Sequence, residues 1–90
     1  MAWKIEFTPE AQRNLDRLDK QVASRIAKFI VERIAALEDP RSLGEALHGP
    51  DLKRYWKYRV GDYRVIAKIE DARISIVVVR IGTRREVYRS

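Results

Sequence analysis

Trp3, Ile5 and Phe7 alternate with Lys4 and Glu6, the period-2 pattern of a half-buried strand. The period then changes. Thr8-Pro9 supplies a hydroxyl cap followed by proline at the first helical position, and Ala11, Leu15 and Leu18 fall on one helical face. Asp19 is placed to cap a second helix, in which Val22, Ile26, Phe29, Ile30, Ile34 and Leu37 form a wide apolar stripe; Pro40 ends it. Helices joined this closely form an antiparallel hairpin. Between Asp39 and Lys53, Pro40, Gly44, Gly49 and Pro50 mark a loop or irregular segment. Strand-like runs follow at 54–60, 63–70 and 73–81. The pattern predicts an α+β fold of order β-α-α-β-β-β, its last strands an antiparallel meander and its helical hairpin packed on one face of the sheet.

Alternation also predicts what each face carries. Gly61-Asp62, between Val60 and Tyr63, suits a two-residue hairpin turn. In that register Arg59 faces Arg64, Lys57 faces Ile66 and Tyr55 faces Lys68. On the other side Tyr58 meets Val65 and Trp56 meets Ala67. If Asp71-Ala72 turns the next hairpin, Ile74, Ile76 and Val78 join the apolar face, and Ser75, Val77 and Val79 lie among the basic residues. With the helices on the apolar face, the basic face is left open. Basic residues on a solvated sheet face, or guarding a sheet edge, are common. Like charges directly across a strand pair repel, however, so Arg59 opposite Arg64 is better explained by an anion between them.

Composition sharpens this. The chain has 90 residues, 46% hydrophobic and 36% charged, which bounds it to a single domain, residues 1–90, with one core. Its net charge of +6 favours a polyanionic partner: nucleic acid, an acidic protein or an anionic membrane surface. With no cysteine, disulfides and thiolate metal sites are excluded. The start, MAWKIEF, does not read as a signal peptide, and the longest apolar run, Ile74 to Val79 with Ser75 inside it, is too short to span a bilayer. A cytoplasmic protein, without membrane, metal or small-molecule cofactor, is the expectation.

Several chemistries drop out. His48 is the only histidine, and it sits in a loop. Glu32, Glu38, Asp39, Glu45 and Asp51 are scattered, so none forms the acidic cluster of a two-metal nuclease. Gly82 reads as a turn glycine after the last strand. The tail RIGTRREVYRS is either a plain basic tail with Tyr88 folded on the core or part of a site. It leaves the sheet at the Gly61-Asp62 end, which brings Arg84 and Tyr88 towards Arg59 and Arg64.

The stretches VGDYRVIAKIED and VVVRIGTRREVYR, with the helical hairpin and the ALHG segment, resemble the RelE/ParE toxin superfamily over nearly the whole chain. For a RelE-like member the resemblance implies a toxin of a type II toxin–antitoxin pair, a metal-independent endoribonuclease that cleaves mRNA in the ribosomal A site. The 2′-hydroxyl attacks the adjacent phosphate and a 2′,3′-cyclic phosphate results. By position, Arg64 and Arg84 match phosphate-binding arginines, Lys57 the second of two alternating lysines and Tyr88 the C-terminal tyrosine. These four are the implied catalytic set. Arg59, Lys53, Arg54, Lys68 and Arg85 are further phosphate or RNA contacts. Tyr55 stands where relatives carry the first lysine, and Lys53, Arg54 or Lys68 are the substitutes for it. The stretch from Gly82 to Tyr88 is short, and the C-terminal helix of some relatives is expected to be missing.

A ParE-like toxin, inhibiting DNA gyrase by binding, shares the fold and the GDYRV hairpin; a bare RNA-binding domain is a third reading. Either toxin implies a cognate antitoxin whose acidic helix or extended tail wraps the basic surface. The RelE reading adds the ribosome and A-site mRNA as partners.

Overall fold

The switch from strand to helix at Thr8 is built as the pattern predicts. Strand β1 (Lys4–Phe7) ends where the Thr8 hydroxyl accepts from the Ala11 N–H at 3.1 Å, and Pro9 opens helix α1 (Pro9–Arg17). The Asp19 carboxylate accepts from the Gln21 N–H at 3.1 Å and starts helix α2 (Lys20–Phe29). The structure, a computed structural model, describes residues 3–47 and 55–87. Helix α2 continues as a π-helical stretch, Ile30–Ile34, closed by the Ala35 N–H on the Ile30 carbonyl at 2.9 Å.

The helix stops there and not at Pro40. The Trp3 N–H takes the Ala35 carbonyl at 3.0 Å and its indole N–H takes the Glu38 carbonyl at 3.1 Å, which draws the chain off the helix axis. Leu37 therefore lies beyond the helix. Pro40 is buried and opens a 3-10 turn, Pro40–Ser42, capped by Asp39.

Five strands form one sheet in the order β1-β5-β4-β3-β2. They comprise β2 (Glu45–Ala46), β3 (Tyr55–Val60), β4 (Tyr63–Glu70) and β5 (Ser75–Thr83) besides β1, and a single helical turn α3 (Arg84–Val87) follows β5. The α+β class and the meander are as expected; β2 and α3 are additions. A two-residue strand has no room for an alternation, so β2 hides in a segment that reads as loop. Strand β1 runs parallel to β5 and the other pairs are antiparallel.

The β4–β5 connection is longer than Asp71-Ala72. A 3-10 turn, Asp71–Arg73, is followed by Ile74 in the left-handed region at φ 49°, and Arg41 clamps Asp71 with two hydrogen bonds of 3.1 and 2.5 Å. Two extra turn residues shift the register by two, which preserves the faces. Ile76 and Val78 stay on the core side, opposite Ile69 and Ala67, while Ile74 leaves the sheet and is 38% exposed. A bulge at Val79 then reverses the alternation, because Ala67 pairs with Val78 but Ile66 pairs with Arg80. Beyond the bulge Ile81 turns into the core and Gly82 comes opposite Arg64.

Helix α1 covers the part of β5 that β1 does not reach. The Thr8 N–H and hydroxyl donate to the carbonyls of Val78 and Val79, and the Asn14 side-chain oxygen accepts from the Ile81 N–H at 3.0 Å. This edge is thereby closed to a further strand. The main core packs Ile26, Ile30 and Ile34 against Tyr58, Val65, Ala67, Ile76 and Val78. A second, smaller cluster lies on the other face: Leu47, Ile66 and Val87, with Tyr55 and Val79 against them.

Tyr58 ties the segment before β2 to the core. Its ring is 1% exposed and its hydroxyl donates to the Pro40 carbonyl at 2.8 Å. A Cβ on Gly44 would stand 2.7 Å from the Tyr58 Cε1, so only glycine lets β2 approach here. Burial pushes the Tyr58 phenol from 10.0 up to about 12. The folded state thus holds this proton more tightly than the unfolded chain. The stability it confers is complete below pH 10 and is lost as pH rises towards 12. Denaturant titrations should show wild type losing up to about 2 kcal/mol relative to Tyr58→Phe across that window. Parallel pH–stability curves for the two proteins would refute it.

Candidate active site

The β3–β4 hairpin has the register its alternation predicts: Arg59 pairs with Arg64, Lys57 with Ile66, Tyr55 with Lys68, Tyr58 with Val65 and Trp56 with Ala67. Gly61 supplies the turn with φ 60°. On the face away from helices α1 and α2, Lys57, Arg59 and Arg64 surround a depression of about 340 Å³ that is also lined, among the described residues, by Glu45 and Arg84. Glu45 enters because β2 pairs antiparallel with β3, setting it directly across from Lys57.

Arg84 enters because β5 runs on to Thr83, opposite Tyr63, and turns at once into α3. A capping box makes that turn: the Thr83 N–H donates to the Glu86 carboxylate at 2.8 Å, and the Glu86 N–H to the Thr83 hydroxyl at 3.4 Å. Gly82 is therefore a strand residue and no turn glycine. It lacks a side chain because a Cβ there would stand 3.1 Å from the Glu86 Cβ, where α3 folds over the sheet.

The charges in the depression are unequally matched. Among the described residues the ion pairs join Arg41 to Asp39 and Asp71, Lys68 to Glu70, Arg73 to Glu6 and Glu70, and Arg80 to Glu10. None of them reaches Arg59, Arg64 or Arg84. Arg64 is oriented by neutral groups, its Nη1 donating to the carbonyls of Tyr63 at 3.2 Å and Gly61 at 3.5 Å. Its charge is left over for an anion. Arginines so held can grip phosphate oxygens through paired N–H groups. Lys57 is a further cation and proton donor, and among the described residues Glu45 is the one wall residue able to accept a proton.

Lys57, Arg59, Arg64 and Arg84 are thus brought together, while Lys68 and Arg85 are not. Lys68 lies four residues along β4 from Arg64, beside Glu70, and Arg85 is exposed on α3 outside the depression. Lys53, Arg54 and Tyr88, like His48, lie outside the described residues. The basic face is also less open than expected, since the Leu47–Ile66–Val87 cluster caps part of it. Tyr55 belongs to that cluster, which gives its ring an apolar setting in which a lysine ammonium would be poorly solvated. Glu45 was legible only as one scattered carboxylate, because no local pattern announces its non-local pairing with Lys57.

Residues 5–88 match the family described as the ParE toxin of the type II toxin–antitoxin system parDE. The chain belongs to the RelE/ParE toxin superfamily. Toxin RelE of Mycobacterium tuberculosis is 31% identical over 87 residues, covering 97% of this chain and 87% of that protein. The mRNA interferase toxin RelE of Escherichia coli is also 31% identical, over 91 residues, covering 98% and 92%. The crystal structure of the toxin–antitoxin complex RelBE2 from M. tuberculosis aligns with a TM-score of 0.84 at 24% identity, over 93% of each chain. This RelE/ParE protein is a type II toxin, and its depression sits on the sheet face opposite helices α1 and α2.

Proposed function

We propose that this toxin is an endoribonuclease that cleaves mRNA in the ribosomal A site. The observation that carries the reading is the depression where Lys57, Arg59, Arg64 and Arg84 converge, the three arginines lacking carboxylate partners among the described residues. The likeness to an E. coli mRNA interferase over 98% of the chain supports it.

RNA carries its own nucleophile, so the protein must position it and stabilise charge. The 2′-hydroxyl loses its proton to Glu45 and attacks the adjacent phosphorus; Arg64 and Arg84 neutralise the oxygens of the phosphorane. The bond to the 5′-oxygen then breaks with a proton from Lys57, leaving a 2′,3′-cyclic phosphate and a free 5′-hydroxyl. Arg59 holds the phosphate on its outer side, and Tyr88 stacks on a base or joins the proton transfer. Nothing in this sequence of steps calls for a metal. Ribosomes and message place the reaction in the cytoplasm. A cognate antitoxin, its acidic segment laid over the same cations, switches the toxin off.

The ParE description of the matching family favours a second reading, inhibition of DNA gyrase by binding. One pair of assays separates them. Primer extension on a ribosome-bound message should show cuts at the A-site codon that require ribosomes. Intact message together with gyrase-dependent DNA breaks would establish the second reading instead.

A further inference from the structure

Arg59 lines two concavities. Besides the depression on the sheet face, it borders a groove of about 450 Å³ that runs past the Gly61 turn onto helix α2, walled by Arg25, Lys28, Phe29 and Arg33. These positions, spaced three and four residues apart, make one helical face. It is basic: among the described residues no ion pair reaches Arg25, Lys28 or Arg33, and Glu32 is the single carboxylate on the rim.

Two further details suit a nucleic acid strand better than an acidic peptide. The Arg33 guanidinium carbon lies 5.8 Å from the centroid of the Phe29 ring, which sets a cation beside an aromatic face against which a base can pack. The Arg25 guanidinium lies flat against Gly61, where a Cβ would stand 3.2 Å from its nitrogen, so the charge crosses the turn without a side chain in the way.

We infer that this groove is a second phosphate-binding stretch, which holds single-stranded RNA flanking the reacting phosphate, with Arg59 as the shared contact. This extends the ribonuclease reading, since it assumes that the strand in the depression is RNA and runs on beyond it. A polymer bound at the depression must leave it on some side, and the Arg59 side continues in cations.

Fluorescence anisotropy with 2′-O-methyl RNA, which cannot be cleaved, tests it separately from catalysis. A trinucleotide and a dodecanucleotide are titrated across a salt series against wild type and against the triple variant Arg25→Gln, Lys28→Gln, Arg33→Gln. All three positions are exposed, and unchanged thermal melting confirms the fold. Each phosphate contact on a single strand adds about 0.7 to the slope of log K against log salt. The triple variant should therefore lose about 2 from the slope for the dodecanucleotide while binding the trinucleotide as wild type does. Unchanged slopes would overturn the inference, and so would an acidic peptide that binds wild type as tightly as RNA at equal salt. If the slope falls as stated but no ribosome-dependent cleavage occurs, the groove stands and the catalytic reading is what fails.

Discussion

Replacing Arg64 by alanine should lower the cleavage rate about 10²–10³-fold, the usual effect of deleting one preorganised donor to a transition-state oxyanion. Arg84→Ala should do the same. The two residues reach the depression by different routes, one from the turn end of the β3–β4 hairpin and one from the start of α3. Equal losses would therefore point to a shared phosphate and not to a shared element. Stability supplies the control. Arg64 lies directly across from Arg59, and like charges so placed cost roughly 0.2–1 kcal/mol. Arg64→Ala should thus leave the melting temperature unchanged or slightly raised while activity collapses. A purely structural arginine would behave in the opposite way. Arg64→Lys keeps the charge but loses the planar fork, and its rate should fall between the two. A rate for Arg64→Ala or Arg84→Ala near that of wild type, measured by single-turnover cleavage of a ribosome-bound message, would discard the depression as the site.

What made this site legible was the hairpin. A two-residue turn and a strict alternation leave one register, so the opposition of Arg59 and Arg64 follows from spacing alone. The rest depended on features without a local signature. The bulge at Val79 is one unpaired residue in an unbroken apolar run, yet it decides that Gly82 and not Ile81 faces Arg64. The turn at Asp71 is lengthened by a clamp from Arg41, thirty residues earlier in the chain. The Thr83–Glu86 capping box is present in the sequence as a hydroxyl three residues before a glutamate, but a single helical turn leaves no apolar periodicity beside it to mark a helix. Tyr55 looked like a missing lysine because its alternation was visible and its apolar neighbours were not.

In the proposed reaction Glu45 takes the proton of the 2′-hydroxyl, so its removal should separate binding from catalysis. It stands across from Lys57 in a depression whose other walls, among the described residues, are cations. Glu45→Gln keeps the shape and removes a negative charge from the wall, so an uncleavable RNA should bind the variant as tightly as wild type or more tightly. Cleavage should nevertheless slow by about 10²–10⁴, the contribution typical of a positioned general base. Those opposite signs are the test. If Glu45 served only to neutralise Lys57 or to secure β2, its loss would move binding and cleavage together, or destabilise the sheet edge without a specific effect on rate. Glu45→Asp should recover part of the rate, because the carboxylate survives but is drawn back by one methylene. A Glu45→Gln protein that cleaves within tenfold of wild type would assign the proton to another group and leave Glu45 as a structural partner on β2.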